Sequence, residues 1–142
     1  MFGPAGHLYV YFTYGMHFCM NVVTGTVGEG SAVLLRAGRP LEGLEGMRAD
    51  RGEVADRLLC AGPGRFTKAL GVDGSLDGAD LVTATSGVWV SAGRGAAGAD
   101  IATGPRIGIT RGLERPWRFA VAGDPNLSRR VNPPVTAAPS TR

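Results

Sequence analysis

Residues 8–21, LYVYFTYGMHFCMN, decide how this chain is read. Leu8, Val10 and Phe12 alternate with Tyr9, Tyr11 and Thr13, the two-residue period of a strand with one buried face. Residues 18–23 read as a second strand, with Tyr14-Gly15-Met16-His17 between the two. The economical solution is a β-hairpin with Tyr14 at or near its tip. A large aromatic at an exposed tip is informative when it inserts somewhere, and polar aromatics on one strand face could line a pocket for a flat ring. The plainer account of the same alternation is core and cross-strand packing. Pattern alone leaves both open.

The whole chain has 142 residues, 44% of them hydrophobic, enough for one domain with a core. Its 23 glycines and 9 prolines call for many turns and short elements. A net charge of +3 and a pI near 9.3 are compatible with a nucleic-acid partner but do not point to one. Two cysteines, Cys19 and Cys60, are too few for a disulfide framework or a zinc site, and read as free thiols in a reducing compartment. The N-terminal apolar run has no positive leader and carries Tyr, His and Gly, so it reads as strands, not as a signal peptide. No stretch is long and apolar enough to span a bilayer. The expected setting is the cytoplasm or nucleoid, with no membrane partner, no metal ion and no cofactor.

Beyond the hairpin, residues 24–30 read as a loop and residues 31–37 (SAVLLRA) as a third strand interrupted by Arg36. Arg36 is either a strand-end cation paired with a carboxylate or a cation at the floor of a site. Residues 40–51 (PLEGLEGMRADR) read as a helix with Pro40 at its first position and Leu41, Leu44 and Met47 as its apolar stripe. Residues 61–64 (AGPG) open a second helix over residues 65–70. Phe66, Ala69 and Leu70 should face inward there, and Arg65 and Lys68 outward. A glycine turn at a helix start offers backbone N–H groups to an anion, so a DNA phosphate could sit by Gly64, Arg65 and Lys68; on this motif alone an ordinary helix start is the better account. Residues 87–90, 105–110 and 117–121 read as strands, the last two as antiparallel neighbours. Residues 132–142 lack a core-forming pattern and are expected to be a disordered tail.

The runs MFGPAGHLYVYFTYGMHFCMNVV, AVLLRAGRPLEGLEGMR, LCAGPGRFTKALGV, PRIGI and PWRFAVAGDPNLS resemble the alkyladenine (3-methyladenine) DNA glycosylase family, in that family's order, over almost all of residues 1–128. The resemblance implies a monomeric base-excision repair enzyme without metal or cofactor. Such an enzyme binds double-stranded DNA and flips an alkylated or deaminated purine, of the 3-methyladenine or hypoxanthine type, out of the stack. It then hydrolyses the N-glycosidic bond. By the same resemblance Tyr14 is the intercalating wedge, with Met16 and His17 flanking it. Tyr11 stacks on the flipped base, Asn21 disfavours the amine of guanine at the pocket floor, and Arg36 helps to hold the catalytic water. The family uses water rather than a lysine amine, and Lys68, the sole lysine, belongs to a predicted outward helix face.

The family's general base is a glutamate upstream of the hairpin motif, in a segment that also supplies a second stacking tyrosine and a pocket histidine. None of the three has a matching position here. Glu29, Glu42, Glu45, Glu53 and Glu114 all lie outside the motif, and His7 and His17 are not at the family histidine's place. Water attack on a sugar carbon with oxocarbenium character needs a carboxylate. The expectation is therefore an N-terminally truncated member, a monofunctional glycosylase by family whose chain as given binds DNA weakly and excises nothing; the alternative is a non-catalytic DNA-binding remnant of the family. A helix-hairpin-helix protein built around AGPGR is a third reading, opposed by the surrounding strands. The expected fold is α+β: a single domain over residues 1–131, a curved, mostly antiparallel β-sheet or open barrel with short flanking helices. The curved sheet is what the resemblance implies.

Overall fold

The computed structural model describes residues 1–131 except Arg94 and Ala97; the expected tail at 132–142 lies outside the described residues. Strand β1 (Leu8–Thr13) pairs antiparallel with β2 (His17–Val23), in a register that sets Tyr9 opposite Asn21, Tyr11 opposite Cys19 and Thr13 opposite His17. Met16 N–H donates to the Thr13 carbonyl at 3.2 Å and closes the turn. Its two central residues, Tyr14 and Gly15, have φ of 53° and 66°. Positive φ at both positions is the type I′ signature, whose twist matches the strands it joins. For tyrosine this left-handed backbone costs on the order of 1–2 kcal/mol.

Strand β3 (Ala32–Leu34) adds to β2 opposite Asn21–Val23, giving a three-stranded sheet in the order β1-β2-β3. It is shorter than the seven residues expected. After Leu34 one further bond, from Leu35 N–H to the Met20 carbonyl at 3.1 Å, ties the chain to β2, and Ala37 then bridges Ala61. Beside the N-terminal half of β2 lies a helix in place of a third strand: Thr67 is 1% exposed, and its Oγ1 lies 2.6 Å from the Phe18 carbonyl. Thr67→Val removes that donor while keeping the shape. It is expected to destabilise the chain by about 1 kcal/mol, read as a lower midpoint in urea; an unchanged midpoint would show the bond to be dispensable.

The even-numbered face of the hairpin builds the core. Leu8, Val10 and Met20 pack with Val72 and Leu81, and Phe18, Val22, Leu35 and Phe66 close around them. Phe12, expected on this face, is exposed and meets only the ring of Phe18 in a tilted contact at 4.9 Å. The outer edge of β1 is occupied by the segment 77–80. Leu8 N–H donates to the Ala79 carbonyl, Gly78 N–H donates to the Leu8 carbonyl, and Asp77 Oδ1 accepts from Val10 N–H.

Helix α1 (Leu44–Arg51) starts four residues later than expected, because Gly43 holds φ of 70° and cannot extend a right-handed helix. Leu41 is therefore outside the helix and exposed, and only Leu44 and Met47 reach the small core of Leu59, Cys60 and Ala69. A short α2 (Asp56–Leu59) leads to α3 (Pro63–Ala69), which takes Pro63 as its first residue and is followed by Gly71 at φ of 64°. On α3 the inward positions are Thr67 and Ala69, with Phe66 partly buried; Leu70 is exposed, contrary to expectation. Cys19 and Cys60 are free and buried, as the count predicted.

The chain divides into two compact units, Met1–Gly93 with Asn126–Ser128, and Arg94–Pro125 with Arg129–Arg142. In the second, β4 (Ile101–Gly104) pairs antiparallel with β5 (Arg118–Val121). The expected partner, residues 105–110, forms no strand: Pro105 has no N–H to give to a ladder, so pairing ends at Gly104. Residues 87–90 also form no strand; Val90 makes one bond, to the Leu81 carbonyl. The fold is α+β, with two small antiparallel sheets and short helices; no closed or curled sheet is found among the described residues.

Candidate nucleic-acid interface

The period of β1 and β2 that buries Leu8 and Val10 turns the odd-numbered residues to the opposite face. Tyr9, Tyr11, Cys19 and Asn21 therefore share one face across the hairpin. The rings of Tyr9 and Tyr11 stack at 5.6 Å with 25° between their planes. Asn21 is buried and its Nδ2 donates to the Tyr9 carbonyl at 3.2 Å, which fixes the carboxamide against the sheet. Cys19 stands directly opposite Tyr11 in the ladder, close enough for the thiol and the phenol to act on each other. Burial pushes the Tyr11 phenol up from its ordinary value, with the Cys19 contact adding to the rise and the Arg36 guanidinium opposing it. Burial also pushes the Cys19 thiol up, against the lowering pull of Tyr11 and Arg36. Both groups are thus uncharged at neutral pH. The face is flat, aromatic and neutral, with one cation near its edge: a surface for an aromatic ring.

Arg36 lies beyond the end of β3, not within it. Its carbonyl accepts from Gly62 N–H at 2.9 Å, and its guanidinium is close enough to act on both Tyr11 and Cys19. The structure thus brings Tyr11, Asn21 and Arg36 to one region of the hairpin. Tyr14 is 84% exposed at the tip, and Met16 beside it is also exposed. Tyr14 makes no contact with the core, so packing does not account for this aromatic.

The remaining sequence-predicted residues gather at a different place. Met16, His17, Gly64 and Lys68 line an open depression of about 280 Å³, together with Phe18, Asp50, Thr67 and Asp73. It includes neither Tyr11 nor Asn21. Gly64 packs closely there: a Cβ would sit 3.0 Å from His17 Cγ, so a larger residue would push the His17 side chain aside by a few tenths of an ångström. Arg65 and Lys68 face solvent, and Arg65 Nη1 donates to the Ala61 carbonyl at 3.4 Å. No cluster of His, Cys, Asp or Glu able to hold a metal ion is found among the described residues. Nor is any helix among them long and apolar enough to cross a membrane. The sequence reading missed Cys19 as a partner of Tyr11, although the register that opposes them follows once the hairpin turn is placed. It also missed Thr67, whose partner lies 49 residues away and leaves no local signal.

Residues 1–125 match the methylpurine-DNA glycosylase family, and the chain belongs to it. Among curated relatives, a protein of Burkholderia lata named "Putative 3-methyladenine DNA glycosylase" is 53% identical over 137 residues, covering 96% of this chain and 64% of the relative. Proteins of the same name from Carboxydothermus hydrogenoformans and Chlorobaculum parvum are 43% and 45% identical, over 92% and 90% of this chain. The chain spans 68% and 60% of those relatives.

Proposed function

We propose that this chain carries the base-recognition and DNA-insertion portion of a monofunctional DNA glycosylase acting on alkylated or deaminated purines in duplex DNA. One observation carries the reading: a tyrosine 84% exposed on a left-handed turn, at the end of a hairpin whose odd face is Tyr9, Tyr11, Cys19 and Asn21. A purine inside a duplex is out of reach, and turning it outward costs a few kcal/mol of stacking and pairing. Tyr14 fills the gap left in the stack and offsets part of that cost, with Met16 and His17 against the groove. Tyr11 takes the extruded base on its π-face, which suits a cationic alkylated ring. Asn21 faces the base edge and crowds the exocyclic amine of guanine. Gly64, Arg65 and Lys68 meet the phosphate backbone, and Arg36 positions the water. In the reaction the water oxygen bonds to the sugar C1′ as the C1′–N bond breaks, and its proton passes to a carboxylate.

Residues 1–131 act in this proposal as one glycosylase-like domain, in the cytoplasm at the nucleoid, as a monomer. The curved sheet implied by the resemblance belongs to the same proposal. No position in the 142 residues matches the family's glutamate, which favours a second reading for this polypeptide: DNA binding without chemistry. The test is release of hypoxanthine or 3-methyladenine from a duplex oligonucleotide, with binding measured in parallel. The 142-residue polypeptide is expected to bind and release nothing. Turnover at the rate of an intact family member would contradict the assignment of water activation to the upstream glutamate; failure to bind DNA at all would contradict the whole reading.

Asn21→Ala separates recognition from binding. It is expected to narrow the preference for a hypoxanthine duplex over a guanine duplex by roughly tenfold, the equivalent of about 1.4 kcal/mol. Competition between the two duplexes measures it, and unchanged discrimination would remove Asn21 from the pocket.

A further inference from the structure

The positive charge of this chain is confined to one of its units. Residues of the first unit, which contains the hairpin, supply seven Lys or Arg against nine Asp or Glu, a net −2. The described residues of the second supply six arginines against three acidic residues, a net +3. Neutralising phosphates supplies essentially all of non-specific DNA affinity. The hairpin unit is poorly equipped for that, so cations of the second unit are the natural source.

Two of those cations are gathered at one side chain. Trp117, 53% exposed just before β5, carries the Arg115 guanidinium 4.5 Å and the Arg106 guanidinium 5.4 Å from its ring centre. Arg106 Nη2 donates to the Arg111 carbonyl at 3.4 Å, which ties the Arg111 backbone to the same cluster. Arg106 Nε has no hydrogen-bond partner among the described residues. Neither Arg106 nor Arg111 has an ion-pair partner among them. Arg115 has Glu114 at 3.6 Å, in a solvent-exposed pair that does little to neutralise it. A guanidinium stacked on an indole keeps its in-plane N–H donors for an anion, and their fork matches phosphate oxygens. Phe119 and Val121 continue the exposed face of β5 from Trp117, and Ile101 lies opposite Val121. Uncancelled arginines beside exposed aromatic surface fit a nucleic acid, which has both phosphates and sugar edges to offer.

We propose that Arg106 and Arg115, stacked on Trp117, together with Arg111, whose backbone Arg106 holds, form a second contact surface for the phosphodiester backbone of duplex DNA. This surface carries the larger share of the salt-dependent affinity, while the hairpin reads the base. The proposal rests on the DNA reading above, and its test separates the two.

Binding of the full chain to undamaged and hypoxanthine-containing duplexes is measured across a salt series. The proteins compared are the parent chain, R106Q/R115Q, Arg111→Gln, and Arg57→Gln as a control from the exposed surface of the first unit. The plot of log K against log salt is expected to become shallower by about 1.8 for the double variant and about 0.9 for Arg111→Gln. Arg57→Gln should leave it unchanged. Arg111→Gln removes a charge without touching the Trp117 ring, so the answer survives if the double variant does not fold. Preference for the hypoxanthine duplex should persist in every variant. Unchanged slopes in both cluster variants, or an equal change from Arg57→Gln, would overturn the proposal. So would a concentration-dependent dimer that Phe119→Ser dissolves without altering the slopes, which would assign the face to a second copy of the chain. Failure of the glycosylase reading looks different: the parent chain would show no preference for the lesion, whatever the slopes.

Discussion

Tyr14→Ser is expected to weaken binding to a hypoxanthine-containing duplex by about tenfold or more, and binding to a single strand with the same lesion hardly at all. The asymmetry comes from where the side chain acts. In a duplex the flipped base leaves a hole, and a wedge that fills it offsets part of a penalty of a few kcal/mol. A loss of about 1.4 kcal/mol is already tenfold in affinity. A single strand has no such hole. The variant should keep its stability within about 0.5 kcal/mol, because Tyr14 is 84% exposed and touches no core residue. Relief of its left-handed strain is not expected, since serine inherits the same backbone at φ of 53°. Equal losses on both substrates, or a collapse in melting temperature, would show that Tyr14 acts through the fold.

Tyr11→Ala should behave in the opposite way, with a comparable loss on duplex and single strand. Base–aromatic stacking is worth roughly 1–3 kcal/mol, which corresponds to a loss of about 5- to 150-fold. Tyr11→Phe keeps the π-face and gives up only the hydroxyl, so it should stay near the parent. The phenol is held above its ordinary value by burial and by Cys19, so it is neutral at physiological pH and remains so beyond the unperturbed value. Raising the pKa of an acid in the folded state stabilises the fold fully below the unfolded value, and that stabilisation is lost as pH climbs through the folded one. Binding should therefore show no step from Tyr11 between about pH 6 and pH 9, and fluorescence titration in that window would reveal one if the ring were ionising.

The hairpin was legible because two local signals agree on it. The two-residue alternation of residues 8–13 sets the faces, and a Tyr-Gly pair supplies the positive-φ turn that joins the strands. The register then follows, and with it the shared face of Tyr11 and Asn21. Elements ruled by distant residues were not legible. The apolar run at residues 31–37 has strand propensity throughout, yet it pairs only at Ala32–Leu34, because α3 sits beside the rest of β2 and offers it Thr67. Nothing near Thr67 in sequence announces this. Around Pro40 the pattern promised a helix start, but the backbone of Gly43 decided otherwise. Trp117 and its successors were readable as a strand, while the partner was not: residues 105–110 look apolar enough, and Pro105 excludes them. The surface about Trp117 left no periodic trace, since its arginines come from the irregular connection between β4 and β5.

The segment 77–80 lies along the outer edge of β1 and already occupies both backbone groups of Leu8 and the N–H of Val10. Any further strand seeking to lengthen the ladder there must first evict Asp77 and Ala79. Growth of this sheet, whether by another part of a polypeptide or by a neighbouring copy, is therefore directed to its opposite flank at β3, and fibril-like stacking through the hairpin is gated by a local opening event.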